Sequence, residues 1–165
     1  MKKNKNLLLI LAAFCTIYGI YYWMYKIPSD LEQDAIQVEV IPGQFSNLGA
    51  ERKGAEIVHF YAHWCGPCIR EIRQITKQYE ALQARGLDFV FLTDDTWEEI
   101  NQMRMLLPSD IKILKIASLN EIGVRTIPTT YVINPRDEIV FQKVDACNWE
   151  DAVFLQEINQ LLESK

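Results

Sequence analysis

The chain has 165 residues and a net charge of −5, with 49% apolar and 24% charged side chains, which is typical of a protein with one globular domain. Residues 36–165 carry 13 Lys and Arg against 19 Asp and Glu and contain no basic run; such a segment repels phosphate groups, which argues against a nucleic-acid partner. Four cysteines are too few for a disulfide framework, so their positions in the chain carry the information.

The first predicted element is a membrane-spanning helix. Residues 7–25 carry no charged side chain, and at a rise of about 1.5 Å per residue a helix of this length nearly spans the ~30 Å hydrocarbon core. Three lysines precede the run, Lys2, Lys3 and Lys5, whereas a single lysine follows it, Lys26, and is itself followed by Asp30, Glu32 and Asp34. This bias predicts that residues 1–6 lie in the cytoplasm and that the rest of the chain lies outside.

Two alternatives to this anchor stay open. A cleaved signal peptide has a shorter apolar region and a small-residue cleavage site, and no such site follows the aromatic cluster at residues 21–25. A lipoprotein signal would place a small residue directly before Cys15, but Phe14 precedes it. Cys15 is instead predicted to be an apolar residue within the helix. We predict an uncleaved single-pass anchor over residues 7–25, a linker over 26–35 and a domain over 36–165 on the periplasmic or cell-surface side.

Strands and helices are predicted to alternate in the first half of the domain. Residues 36–41 alternate in polarity, and residues 57–61 are β-branched and aromatic enough for a buried central strand. A helix follows, because apolar side chains recur at helical spacing as far as Leu82, and Gly86 suits its C-terminal end. Residues 87–92 form the next strand.

The second half of the domain begins with a helix and contains a hairpin. Thr96 opens a capping box for a helix that reaches about residue 106. Residues 129–133 and 139–144 are strands joined by a turn at 134–137. Asn148 is a plausible N-cap for the last helix, whose apolar stripe contains Phe154, Leu155, Ile158, Leu161 and Leu162. This order predicts an α/β fold with a parallel portion and an antiparallel edge.

A Cys-x-x-Cys motif follows the predicted central strand. Gly66 and Pro67 separate Cys65 from Cys68, so Cys65 projects from the turn and Cys68 lies one helical turn later. Free N–H groups and the dipole at a helix N-terminus stabilise a thiolate, and such sites lower a thiol pKa from about 8.5 to roughly 3.5–7.5. We therefore predict that Cys65 attacks a substrate disulfide and that Cys68 resolves the mixed disulfide.

Two non-catalytic interpretations of the motif stay open. An exported domain can hold a structural disulfide between these cysteines. A zinc site is the other alternative, because His59, His63, Cys65 and Cys68 are all of ligand type. All four would have to converge, whereas His59 lies within a predicted strand and no second Cys or His pair is evident. We predict no metal and no cofactor.

Two segments resemble a known family. Residues 56–71, EIVHFYAHWCGPCIRE, resemble the active-site strand and helix of thioredoxins. Residues 124–140, VRTIPTTYVINPRDEIV, resemble the second signature of the membrane-anchored extracytoplasmic thioredoxins of the TlpA/ResA type. The resemblance covers residues 45–163 and implies the thioredoxin fold, in which helices flank a central mixed β-sheet.

The resemblance also implies roles for residues around the cysteines. Pro128 is expected in a cis peptide bond, and Ile127 is expected to offer backbone groups to a bound substrate strand. Trp64 is expected to pack beside the thiols and, with Gly66 and Pro67, to contact the substrate.

His59 departs from the resemblance. Many thioredoxins carry a buried acidic residue six positions before the first cysteine, and TlpA-type proteins often carry Asn. A neutral imidazole there can accept the proton of Cys68 during resolution, and the alternative is a neutral histidine hydrogen-bonded within the sheet. His63 is predicted at the surface, where it adds positive potential when protonated. Cys147 is predicted to be a small buried thiol, with a regulatory or intermolecular thiol as the alternative.

These observations predict a membrane-anchored thiol–disulfide oxidoreductase that reduces disulfides of exported proteins. The Gly-Pro dipeptide between the cysteines resembles that of reducing thioredoxins. The resemblance supplies the substrate class and implies an electron donor, for which a membrane thiol carrier is one candidate. The alternatives are an oxidant or isomerase of exported proteins, and a non-enzymatic module that binds a metal or a partner through the same loop.

Overall fold

The computed structural model describes residues 2–26, 28, 31–52 and 54–163. Three residues of the predicted linker lie outside the described residues, namely Ile27, Ser29 and Asp30, and so do Met1, Lys53, Ser164 and Lys165. The chain begins with α1 (Lys2–Tyr25), which contains the predicted span. Within it Asn6–Tyr25 is long and apolar enough to cross a membrane. None of this segment is buried inside the protein, whereas an apolar helix of a protein core would be buried.

Among the described residues, seven strands and four further helices follow. An antiparallel hairpin of β1 (Gln37–Ile41) and β2 (Gln44–Asn47) leads into the short α2 (Leu48–Glu51). The remaining elements are β3 (Glu56–Phe60), α3 (Gly66–Gln83), β4 (Asp88–Thr93), α4 (Trp97–Arg104), β5 (Lys112–Lys115), β6 (Thr129–Ile133), β7 (Ile139–Val144) and α5 (Ala152–Glu163).

The strands form one mixed sheet in the order β2-β1-β5-β4-β3-β6-β7. The pairs β3–β4 and β4–β5 are parallel, whereas β1–β5, β3–β6 and β6–β7 are antiparallel. All five residues of β3 are buried, so the predicted central strand and its parallel portion with an antiparallel edge are confirmed. Two strands, β2 and β5, were not predicted from the sequence; both are short and contribute four residues each.

The sheet separates two cores, because alternate residues of β3 point to opposite faces. Ile57 belongs to the core that α3, α4 and α5 cover, together with Ile72 and Ile158. Val58 and Phe60 belong to the other core, which α2 and irregular segments cover in place of long helices. The helices α3, α4 and α5 therefore pack against the same face of the sheet, and Cys65 and Cys68 at the start of α3 belong to the core on that face.

The predicted helix ends are confirmed at two places and wrong at a third. Gly86 adopts a φ of 79° after α3, and a complete capping box opens α4 at Thr96. Asn148 is not the N-cap of α5, because its side chain accepts a hydrogen bond from Glu150 N at 3.2 Å in a preceding turn. Asp151 takes that place, since its carboxylate accepts from Val153 N at 2.9 Å.

The last turn of α1 contacts a loop of the domain. The guanidinium carbon of Arg125 lies 4.6 Å from the centre of the Trp23 ring, a distance typical of cation–π contacts. The Thr126 hydroxyl donates a hydrogen bond to the Met24 carbonyl at 2.9 Å. The loop that leads to Pro128 is therefore in contact with the end of the apolar helix.

Candidate active site

The two predicted redox cysteines form a disulfide at the start of α3. Cys65 is the N-cap residue of this helix, and its sulfur accepts a hydrogen bond from Cys68 N at 3.2 Å. The turn before it is closed by a hydrogen bond from Cys65 N to Ala62 O at 3.0 Å. Cys65 is 4% exposed and Cys68 is fully buried, so Cys65 is the more accessible of the two sulfur-bearing residues.

Three of the residues predicted to contact substrate, Trp64, Gly66 and Pro67, lie at this helix start. Trp64 is 71% exposed, and Gly66 and Pro67 are exposed in the first turn of α3. The Ile127–Pro128 bond is cis, which confirms the geometry that the resemblance implied. Ile127 is half-buried and Pro128 is buried. Their roles in substrate binding stay predictions.

A cluster of buried polar side chains lies between β3, β6 and α3; it consists of His59, Glu71, Thr130, Cys147 and Trp149. Nδ1 of His59 lies 2.9 Å from the Thr130 hydroxyl and 3.8 Å from Glu71 Oε1. That carboxylate oxygen accepts hydrogen bonds from Trp149 Nε1 at 2.7 Å and from Cys147 N at 3.2 Å. Glu71 Oε2 and His59 Nε2 have no hydrogen-bond partner among the described residues.

Burial shifts the protonation of this cluster. It lowers the pKa of His59 to about 3, so the ring is neutral at pH 7, as predicted. Burial raises the pKa of Glu71 to about 7, against the opposing effect of its hydrogen bonds from Trp149 and Cys147 N. Burial likewise raises the pKa of the Cys147 thiol to about 12. Cys147 is a free, buried cysteine, which confirms the predicted burial of this thiol.

Glu71 was not predicted from the sequence as a functional residue. A signal for it was present, because Glu71 follows Cys68 by three residues and precedes Ile72, both of which face the core from α3. Residues three apart on a helix share a face. An acidic residue in that apolar stripe was therefore a candidate for a buried functional group.

His63 lies at the surface, as predicted, but it is held by two acidic side chains. Its Nδ1 lies 2.9 Å from Asp95 Oδ1, and its Nε2 lies 3.2 Å from Glu99 Oε1. Its backbone N–H also donates to Asp95 Oδ2 at 2.8 Å. The side chain remains 40% exposed.

The zinc alternative is not supported by this arrangement. His59 points into the core, whereas His63 contacts two carboxylates and the two active-site cysteines are joined to each other. Within the part of the chain that the structure describes, one group of three or more His, Cys, Asp and Glu side chains has all its ligand atoms within 4.8 Å of one another, namely His63, Asp95 and Glu99. The four residues considered as zinc ligands do not form one ligand set.

Comparison with known proteins identifies the family. Residues 40–142 match the model of the AhpC/TSA family. The chain belongs to the AhpC/TSA family. Thiol-disulfide oxidoreductase ResA of Oceanobacillus iheyensis is 30% identical over 116 residues, which cover 66% of this chain and 57% of that relative. The chain thus spans less than two thirds of the length of the Oceanobacillus iheyensis relative. Sporulation thiol-disulfide oxidoreductase A of Bacillus subtilis is 24% identical over 151 residues, covering 82% of this chain and 88% of the relative.

Solved structures show the fold of this AhpC/TSA family member. A thioredoxin-like protein from Porphyromonas gingivalis superimposes with a TM-score of 0.66 at 17% identity, covering 81% of this chain and 93% of the other. StoA from Bacillus subtilis has a TM-score of 0.56 at 21% identity, covering 82% of this chain and all of the other. The predicted thioredoxin fold is therefore confirmed, with its mixed sheet and flanking helices.

Proposed function

We propose that this protein is a thiol–disulfide oxidoreductase that reduces disulfides of exported proteins through Cys65 and Cys68. The observation that carries the proposal is the position of the pair, with Cys65 as the N-cap residue of α3. Free N–H groups at that position stabilise a thiolate. The relatives named thiol-disulfide oxidoreductases support the same chemistry.

The reaction transfers two electrons in two displacement steps. The Cys65 thiolate of the reduced enzyme attacks one sulfur of a substrate disulfide and forms a mixed disulfide, and the other substrate sulfur leaves as a thiolate. Cys68, as a thiolate, then attacks the Cys65 sulfur. The Cys65–Cys68 disulfide forms and the second substrate thiol is released. A dithiol electron donor restores the reduced pair by the reverse steps.

Cys68 has to lose a proton before it can resolve the mixed disulfide, and two buried groups are candidates to accept it. A base works best when its pKa lies near the working pH. Glu71, with a pKa raised to about 7, meets this condition better than His59, whose pKa is lowered to about 3. We assign the proton to Glu71. His59, which contacts Thr130 and lies near Glu71, is the alternative acceptor.

Substrate is proposed to bind across the exposed side of the helix start. Trp64, Gly66 and Pro67 present exposed surface there. Ile127, beside the cis Pro128, is proposed to pair its backbone with an extended substrate strand. An extended segment bound through main-chain hydrogen bonds is recognised with little dependence on its side chains, which suits an enzyme that acts on several exported proteins.

The apolar helix α1 is proposed to anchor the domain outside the cytoplasm, with residues 1–6 inside. Its exposed apolar surface and the lysines that precede the span support this topology. An anchored domain is positioned to receive electrons from a membrane thiol carrier, the donor class proposed here.

The test is the reduction potential and activity of the full chain in lipid nanodiscs. We expect dithiothreitol-driven reduction of insulin and a potential near that of thioredoxin, about −270 mV. A potential near −120 mV, as in strong oxidants, would instead favour the oxidant alternative. Cys15→Ala is the matched control, because it removes a free thiol that lies in α1, outside the pair and its buried surroundings; it should retain full activity. Absence of insulin reduction in the unmodified chain would refute the proposal.

A further inference from the structure

The ring of His63 lies between two carboxylates that come from different elements. Asp95 follows β4 and is nearly buried, with 4% of its side chain exposed, whereas Glu99 belongs to the first turn of α4. Each ring nitrogen lies within 3.2 Å of one carboxylate oxygen. Both contacts are hydrogen bonds only when both nitrogens carry protons, that is, in the imidazolium form.

A neutral ring cannot maintain this arrangement. It has one N–H, so one of the two carboxylates would face a nitrogen lone pair and lose its hydrogen bond. The hydrogen bond to Asp95, followed by the charges of Asp95 and Glu99, raises the pKa of His63 above its usual 6.5. The interaction is therefore fully present below pH 6.5 and is lost as the pH rises through the raised pKa.

The two carboxylates are themselves held in place. Asp95 N donates to the Thr93 hydroxyl at 3.1 Å, and Glu99 Oε2 accepts from both Thr96 N and the Thr96 hydroxyl. Asp94, the neighbouring acid, is turned away and accepts from Leu119 N at 3.2 Å. Among the described residues, the charged groups in contact with the ring are thus Asp95, in the loop after β4, and Glu99, in the first turn of α4.

His63 directly precedes Trp64 and Cys65 in the turn that leads into α3. We propose that His63, Asp95 and Glu99 form a proton-dependent clasp that positions this turn, and that the protonated ring favours the Cys65 thiolate. His63 is a positioning residue here, because its ring contacts the two carboxylates and acts on the thiol through the turn and through its charge. The proposal rests on the proposed function, since it concerns the thiol that is assigned as nucleophile.

The expected size of the effect follows from distance. Two residues of chain separate the α-carbons of His63 and Cys65 by at most about 7 Å. A partly exposed charge at that range, in a largely aqueous environment, changes a thiol pKa by about half a unit. At a pH below the thiol pKa, this corresponds to about a threefold change in the thiolate fraction.

The structure offers a matched pair of variants for the clasp. Glu99→Gln removes the charge that faces His63 Nε2 but keeps the capping box, because Gln at this position also accepts from the N-cap backbone. Glu98→Gln removes the same charge one residue earlier, where the side chain is exposed. The full chain in nanodiscs, with EDTA present to exclude bound metal, is titrated by NMR through the histidine ring Cε1–Hε1 signals. His59 does not interfere, because its pKa of about 3 lies below the range of the titration.

We expect a His63 pKa above 6.5 that falls by about half a unit or more in Glu99→Gln and stays unchanged in Glu98→Gln. In the reduced chain, alkylation of Cys65 by iodoacetamide reports its thiolate. His63→Gln should slow this alkylation about threefold at pH 6, where the native ring is charged, and by less once the pH exceeds the His63 pKa measured by NMR. An equal shift in both Glu variants, or the same slowing of alkylation below and above that measured pKa, would overturn the clasp. Neither the NMR titration nor the alkylation rate depends on insulin reduction. A negative result for the clasp can therefore be distinguished from a negative result for the proposed function.

Discussion

Glu71→Gln tests whether the buried carboxyl group behind the dithiol titrates near neutral pH. Its side chain is fully buried, and burial raises its pKa from 4.5 to about 7. Well below pH 4.5 the group is protonated in both the folded and the unfolded chain, so it does not affect stability. As the pH rises from 4.5 towards 7, Glu71 ionises in the unfolded chain before it ionises in the folded chain. The folded state is therefore destabilised, by about 1 kcal/mol at pH 5 and about 3 kcal/mol at pH 8.

The Glu71→Gln variant removes this pH-dependent destabilisation and adds a destabilisation that does not depend on pH. The Gln carbonyl can accept the hydrogen bonds that Trp149 Nε1 and Cys147 N donate to Oε1. Its amide nitrogen would replace Oε2, which has no partner among the described residues, and an unpaired buried donor costs about 1–3 kcal/mol. The absolute change at one pH is therefore small. The difference between the effect of the mutation at pH 8 and at pH 5 should be about 2–3 kcal/mol in favour of Gln.

The measurement is urea unfolding of the oxidised full chain in detergent micelles, followed by tryptophan fluorescence at both pH values. An effect of Glu71→Gln that is the same at pH 5 and pH 8 would refute the assigned titration. The variant should also slow resolution of the mixed disulfide by about tenfold or more, because the resolving thiol loses its base. Glu56→Gln is the control for this kinetic effect. Glu56 is also buried with a pKa raised to about 7, but it lies at the other end of β3 and should not affect resolution.

Three further predictions concern the roles of the cysteines, the anchor and the histidine in β3. Cys68→Ser should trap mixed disulfides with substrates, seen on non-reducing gels, whereas Cys65→Ser should trap none. Equal trapping by the two variants would contradict the assignment of Cys65 as the attacking thiol and Cys68 as the resolving thiol. A phosphatase fused to the C-terminus should be active outside the cytoplasm and the chain should resist carbonate extraction, whereas a mature N-terminus near residue 27 would show cleavage. His59→Asn keeps a hydrogen bond but cannot take up a proton, so stopped-flow resolution should stay unchanged across pH 6–8 if Glu71 is the base and slow markedly if His59 is.

The sequence predicted the elements whose pattern is strong and local. Residues 57–61 lie almost entirely in β3 because β-branched and aromatic side chains suit a strand buried on both faces. The hairpin of β6 and β7 was predicted from its turn composition, and the start of α3 from the cysteine motif and Pro67. In contrast, β2 has the sequence QFSN and β5 has KILK, which are too short to show a periodicity. Their place in the sheet depends on pairing with β1 and β4.

The environment of the active site depends on contacts between residues far apart in the chain. Asp95 lies 32 residues after His63, and Trp149 lies 78 residues after Glu71. Spacing along the sequence cannot indicate such pairs, because the sheet brings them together. The misplaced N-cap has a similar origin: the chain makes a turn at Asn148 before α5 begins, which allows the fully buried Trp149 to donate to Glu71.

The contact between α1 and the Arg125–Thr126 loop has a consequence for how the enzyme meets its substrates. A helix is stiff, and its last turn is in contact with the two residues that precede Ile127. If α1 spans a bilayer as proposed, these two contacts would restrict the orientation of the domain and the height of its cysteine pair above the membrane. Encounter with membrane proteins would then be a lateral search in two dimensions, which would favour cysteines presented close to the membrane. A domain truncated at residue 27 would lose both contacts and should be compared with the full chain before its specificity is interpreted.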